Sequence, residues 1–327
     1  METGLRQNRP RVIVVCGPTG IGKTRTAIQL AERFHGEIIG ADSMQIYRWM
    51  DIGTAKPTPA EQACVRHHMV DIVDPDTPYD AARYARDAGN VICELHDRGV
   101  VPIVAGGTGL YIKALIYGLF DSRPPDPDIR RSLEDLADAH GLSYLHTQLA
   151  ACDPHAAAGI HVNDRFRIIR ALETYQATGR PISDHQRHHR FAHPRFATAK
   201  VGLIMPREDI YARIDRRVDQ MVAEGLLEEV RSLLARGYGA ELKSMQSIGY
   251  RHMADHLIKG VDWAETLRLL KRDTRRYAKR QLTWFRADPE MVWIAPGQIE
   301  SLQPGLASFL TNGQPIINTQ RGANGNV

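Results

Sequence analysis

Eight residues near the N-terminus, Gly17, Pro18, Thr19, Gly20, Ile21, Gly22, Lys23 and Thr24, fit the pattern G-x-x-x-x-G-K-[ST]. Glycines at these places leave backbone N–H groups free to converge on phosphate oxygens at a helix N-terminus. Lys23 adds a positive charge there, and the Thr24 hydroxyl can hold Mg²⁺. The implied chemistry is capture of a di- or triphosphate, but the pattern does not say which molecule carries it. The sequence has no N-K-x-D guanine reader, and no acid directly closes the apolar run Val100 to Ala105, where an ATPase commonly places its Mg²⁺ ligand. A nucleotide is therefore not required.

Three further groups are candidates for the same crevice. Asp42 follows the apolar run Glu37 to Ala41, and in an open parallel sheet the carboxyl ends of strands face the ligand. A Mg²⁺ ligand, a general base and a cap on the next turn all stand open for it. Gly106-Gly107-Thr108 also opens a helix at a strand end, so its N–H groups and hydroxyl suit either a second anion or a simple N-cap. Arg213 and Arg217 stand four residues apart and share a helix face, as a phosphate clamp or a solvated edge would.

These groups need a scaffold that brings strand ends together, and the hydrophobic pattern supplies one. Arg11 to Cys16, Glu37 to Ala41 and Val100 to Ala105 read as strands, with helices over Lys23 to Phe34 and Leu110 to Leu119. Alternation of this kind predicts an α/β fold with a parallel sheet covered on both faces. Pro124, Pro125 and Pro127 mark a boundary, beyond which helical periodicity runs to Gly179-Arg180-Pro181. Lys200 to Met205 and Met291 to Ala295 read as later strands. The expected organisation is a core over 1–121 and 200–311, an inserted all-helical domain over 122–199, and a disordered tail over 312–327.

Composition sets outer limits. With 327 residues, 43% of them hydrophobic, the chain can bury a sizeable core. Forty-two basic against 38 acidic residues leave a net charge of only +4, but the basic ones crowd into Arg165 to Lys200 and Lys271 to Arg286. That asymmetry fits a neutral catalytic half and a basic half for a polyanion, or two solvated faces. Cys16, Cys64, Cys93 and Cys152 show no C-x-x-C pairing and are expected to be reduced thiols. The polar start and the lack of a long apolar run predict a cytoplasmic protein with no membrane segment. His185, His188, His189 and His193 alternate with arginines and are expected in a surface loop, not at a metal.

At its motifs the chain resembles the bacterial type of the tRNA dimethylallyltransferase family, from Val12 to about Ala295. The matching blocks are GPTGIGKT at 17–24, ADSMQIY at 41–47, MDIGTAKP at 50–57, HHMVDIVDP at 67–75, GGTGLY at 106–111, NDRFRIIRALE at 163–173, SIGYR at 247–251 and KRQLTWFR at 279–286. The resemblance implies a P-loop nucleotide-kinase-like core that holds the pyrophosphate of dimethylallyl pyrophosphate, with an insertion that grips tRNA. The acceptor would be N6 of the adenosine just 3′ of the anticodon, position 37, in tRNAs reading codons that begin with U. Asp42 would then be the base, Thr108 and Arg217 would assist at the pyrophosphate, and Lys23 with a Thr24-bound Mg²⁺ would neutralise it. The implied tRNA contacts are Asp42, Ser43, Met44, Gln45, Thr108 and Arg130; Phe166, Arg167, Ile168, Ile169 and Arg170; Gln246, Ser247, Ile248, Gly249, Tyr250 and Arg251; and Lys279, Arg280, Gln281, Leu282, Thr283, Trp284, Phe285 and Arg286. Core packing is an alternative for Trp284 and Phe285. The chain is expected to act as a monomer. Its rivals are a P-loop kinase of a nucleoside or small metabolite, and a non-catalytic RNA-binding module with a relic loop.

Overall fold

The computed structural model describes residues 9–119, 126–189 and 193–316. β1 (Arg11–Cys16) is the run RVIVVC, buried from Val12 onward, as a strand covered on both faces must be. The glycine loop leads into α1 (Lys23–Phe34), which ends on His35 in the left-handed region at φ 53°. Then come β2 (Gly36–Gly40), α2 (Pro59–Cys64), the two-residue β3 (His67–His68), α3 (Ala81–Asp97), β4 (Val101–Gly106) and α4 (Gly109–Tyr117). Five helices follow: α5 (Pro127–His140), α6 (Leu142–Cys152), α7 (Pro154–Gly159), α8 (Arg165–Thr178) and α9 (Ile182–His189). The chain returns as β5 (Ala197–Leu203), α10 (Arg207–Ala223), α11 (Leu226–Ala235), α12 (Tyr250–Lys259), α13 (Trp263–Arg286), β6 (Val292–Ile294) and α14 (Gln303–Asn312).

All six strands are parallel, in the order β3-β2-β4-β1-β5-β6. Gly40 pairs with Ala105 and Cys16 with Gly106, so β2, β4 and β1 end level with one another. The core under this rim is built from Ile13, Val15, Leu30, Ile103, Val201 and Ile214, all essentially solvent-free. No helix among the described residues is long and apolar enough to cross a membrane.

Two compact units emerge, one of residues up to 116 and from 195 onward, the other of residues 117–194. The second is all-helical, with Leu133, Leu145, Leu149, Ile168, Ile169 and Leu172 in its interior. Glu173, 1% exposed, accepts from Arg170 at 2.9 Å and Arg130 at 3.2 Å, so its charge is paired inside the helical layer.

Several expectations shift. The strand expected from Lys200 begins at Ala197, because Ala197, Thr198 and Ala199 pair with Arg11, Val12 and Ile13; their small side chains do not announce a strand. Pro127 opens α5 instead of blocking a helix, since the first helical position has no N–H to lose, and Asp126 caps it. Pro124 and Pro125 lie outside the described residues, as does most of the expected tail, 317–327. His185, His188 and His189 sit on α9 and not in a loop, with His188 Nδ1 2.8 Å from the Asp184 carbonyl one turn back. The four cysteines are unpaired.

Candidate active site

Sheet order decides which loops meet. β4 lies between β2 and β1, so the turn after it stands between the one carrying Asp42 and the phosphate loop. Backbone packing there is tight. Ala41 N–H donates to Ala105 O at 2.8 Å, and Thr108 N–H donates to Ala41 O at 3.0 Å. A Cβ on Gly106 would fall 2.1 Å from the Ala41 carbonyl oxygen, which explains the glycine.

Asp42 is fixed at one oxygen and open at the other. Its Oδ1 accepts from Met44 N–H at 2.9 Å, an Asx turn that sets the carboxylate's direction. Oδ2 forms no hydrogen bond or ion pair among the described residues, and Asp42 lines a cavity of about 870 Å³, within the range of small-molecule clefts. The Thr108 hydroxyl accepts from Ser43 N–H at 3.0 Å. Tyr277, on α13, faces the same space with its hydroxyl beside Asp42, Thr108 and Gln281; burial raises its pKa and keeps it a donor.

Two cations face Asp42 across the cavity. Lys23 Nζ donates to Pro18 O at 2.9 Å, within its own loop. Burial pulls its pKa down to about 8, with Asp42 pulling it up and Arg217 adding to the fall. Arg217, projecting from α10, makes no hydrogen bond or ion pair among the described residues; burial lowers its pKa while the Asp42 charge opposes. A part-buried guanidinium without an internal partner costs stability, which is the pattern expected where an anion is to be received. Arg213 lines the same cavity but is exposed, and its Nη1 approaches Ile21 O at 3.5 Å.

The opposite wall is the segment 51–59, held by a device the sequence did not reveal. Glu229 on α11 accepts from Asp51 N–H at 2.9 Å, Ile52 N–H at 2.8 Å and Gly53 N–H at 3.1 Å, and from the Tyr250 hydroxyl at 2.5 Å. Gln45 Nε2 donates to Thr54 O and Ala55 O, and Lys56 pairs with Asp51 and Asp71.

A metal fits only one way here. No group of three His, Cys, Asp or Glu side chains able to hold an ion occurs among the described residues. The Thr24 hydroxyl lines the cavity without a hydrogen bond among them, which suits a Mg²⁺ held chiefly by phosphate oxygens and water.

The remaining residues of interest divide by exposure. Phe166 is 66% exposed, with the Arg130 guanidinium 5.8 Å from its ring centre, and Arg167, Lys279, Arg280, Thr283, Trp284, Arg286 and Gln246 are exposed. Ile168 and Ile169 are not available as side chains, because they form the apolar face of α8 in the helical unit's core. Tyr250 is fully buried on Glu229 and Phe285 is packed in the core. Ser247 is bonded to Ser244 O, Arg251 to Asp273, and Gln281 is turned inward. Met44, Ile248 and Leu282 are half-buried, and Gly249 is buried.

The model of the IPP transferase family matches residues 45–288, and that of isopentenyl transferases matches residues 10–77. The chain belongs to the IPP transferase family. Among its relatives in that family, the tRNA dimethylallyltransferase of Desulfosudis oleivorans is 56% identical, over 89% of this chain and 93% of that one. That of Syntrophobacter fumaroxidans is also 56% identical, over 95% and 90%. The full-length tRNA isopentenylpyrophosphate transferase of Bacillus halodurans superposes with a TM-score of 0.68 at 42% identity, covering 92% of this chain and 97% of that chain. A eukaryotic dimethylallyltransferase captured acting on tRNA gives 0.78 at 30% identity, covering 94% and 80%.

Proposed function

We propose that this IPP transferase moves the dimethylallyl group of dimethylallyl pyrophosphate to N6 of the adenosine 3′ of the anticodon, position 37, in tRNAs reading codons that begin with U. The observation that carries the reading is the half-free Asp42 carboxylate facing the unpaired Arg217 and Lys23 across one cavity. A kinase of small metabolites shares the phosphate loop and can use a carboxylate base as well, so the choice of a prenyl donor does not rest on the cavity alone. The relatives' names support the same choice.

The adenine amine is a weak nucleophile because its lone pair is delocalised into the ring, but it becomes acidic as it bonds to carbon. N6 attacks C1 of the dimethylallyl group, the C–O bond breaks with its electrons passing to pyrophosphate, and the N6 proton goes to Asp42 Oδ2. Charge builds on the leaving pyrophosphate before the proton moves. Lys23, Arg217, the Thr108 hydroxyl and the loop amides stabilise it there, each such donor being worth about 3 kcal/mol. The Thr24 hydroxyl would hold a Mg²⁺, which would supply further neutralisation of the leaving group's charge. Lys23 leaves Pro18 O for the phosphate. The adenosine must leave its stack to bring N6 to Asp42, at a cost of a few kcal/mol. The exposed cations Arg167, Lys279, Arg280 and Arg286 and the rings of Phe166 and Trp284 are the groups suited to hold the loop meanwhile.

Calorimetry with dimethylallyl pyrophosphate and with ATP, each with Mg²⁺, tests the reading. Tighter binding of the prenyl donor is expected; ATP binding alone favours the kinase.

A further inference from the structure

Gln281 is one of the few polar side chains buried in the larger unit, at 5% exposure, and both ends of its amide are used. Its Oε1 accepts from Thr19 N–H at 2.9 Å, and its Nε2 donates to Gly107 O at 2.9 Å. The first partner is in the phosphate loop and the second is in the turn that carries Thr108. One side chain of α13 therefore spans two loops that follow different strands. The fit is close, because a Cβ on Gly107 would stand 2.3 Å from Gln281 Nε2. Thr19 is the third residue of the loop, and its amide is taken by Gln281. Gly22, Lys23 and Thr24 follow at the start of α1, where first-turn amides lack helix partners and remain for phosphate oxygens.

We propose that Gln281 is a positioning residue for the pyrophosphate. It holds the phosphate loop at a fixed spacing from the Gly106-Gly107-Thr108 turn, so that the loop amides and the Thr108 hydroxyl converge on one leaving group. The proposal rests on the reading of the cavity as a pyrophosphate site. It also removes Gln281 from the tRNA contacts that its neighbours Lys279, Arg280 and Arg286 supply from the exposed side of the same helix. A carboxamide is suited to this place because it donates and accepts at once without charge, whereas a carboxylate would set an anion against the Gly107 carbonyl.

The test uses Gln281→Met, which keeps length and volume but neither hydrogen bond, and Gly107→Ala, which presses on the Gln281 amide from the other side. Binding of inorganic pyrophosphate with Mg²⁺ is measured by calorimetry, and tRNA binding by salt titration. Both variants should bind pyrophosphate about tenfold more weakly, with a matching rise in donor KM and with tRNA affinity and salt slope unchanged. General destabilisation would not separate the two ligands, and Gly107→Ala carries the test if Gln281→Met does not fold. Wild-type pyrophosphate affinity in the folded variants overturns the inference and leaves the proposed function intact. Loss of tRNA affinity with pyrophosphate binding unchanged overturns it in favour of an RNA contact. Failure of the unaltered protein to bind pyrophosphate removes both readings together.

Discussion

The Thr108 hydroxyl accepts a hydrogen bond from Ser43 N–H at 3.0 Å, tying the turn after β4 to the residue that follows Asp42. Thr108 thus sets the backbone on which the base is mounted. Thr108→Val should lower turnover by about tenfold or more with tRNA affinity held, while Thr108→Ser should retain most of the activity. Steady-state kinetics with filter binding of tRNA checks both. Wild-type turnover in Thr108→Val would reduce the hydroxyl to a cap for α4.

Lys23 gives the protein a pH signature. Its folded pKa of about 8 lies below its ordinary value of 10.5, so the folded chain releases a proton that the unfolded chain keeps. Stability should therefore rise with pH between those values, and the full penalty is present below pH 8. At pH 7, Lys23→Met should stabilise the ligand-free protein by on the order of 1 kcal/mol, once water in the cavity is allowed for, while abolishing pyrophosphate binding. Donor binding by the unaltered protein should weaken as pH rises above about 8, because the lysine must then take up a proton to bind. Thermal melts and calorimetry over that range measure the two slopes, and a falling stability curve would contradict the assignment.

What was legible in the sequence was what is local. The phosphate loop, Asp42 and Thr108 each follow an apolar run directly, and parallel pairing brings the ends of such runs together. From the residues around it Arg217 was legible only as half of an arginine pair, and only the family resemblance set it apart from Arg213; in the structure Arg213 is exposed and approaches Ile21 O while Arg217 is part-buried and faces Asp42. Gln281 entered only as an implied tRNA contact and Glu229 not at all, since the partners that define their places lie 262 and 174 residues away for the first and up to 178 for the second. The two-residue β3 was too short to carry a pattern, and α3 had no chemical motif to draw attention to it.

Glu229 is expected to matter to stability as much as to catalysis. Glu229→Ala leaves three backbone donors and the buried Tyr250 hydroxyl without an acceptor, at a cost of about 3 kcal/mol. It should also loosen the 51–59 wall and raise the donor KM. Urea unfolding gives the first quantity and kinetics the second, and a neutral substitution would mean that water replaces the carboxylate without loss.

For the exposed cations the expected signature is ionic. Arg167→Ala and Lys279→Ala should each weaken tRNA binding whatever the tRNA sequence, and each should reduce the salt slope of log K by about 0.7 to 0.9. Turnover at saturating tRNA should survive. Unchanged slopes in both variants would return these residues to plain solvated surface.

The most direct measurement is nucleoside mass spectrometry of unmodified tRNA incubated with the protein, Mg²⁺ and dimethylallyl pyrophosphate. The expected product is N6-dimethylallyl adenosine at the position 3′ of the anticodon, formed with one pyrophosphate released and lost in Asp42→Ala, which should still bind tRNA. Absence of that nucleoside with active, folded protein, or its undiminished formation by Asp42→Ala, would contradict the proposed transfer and its base.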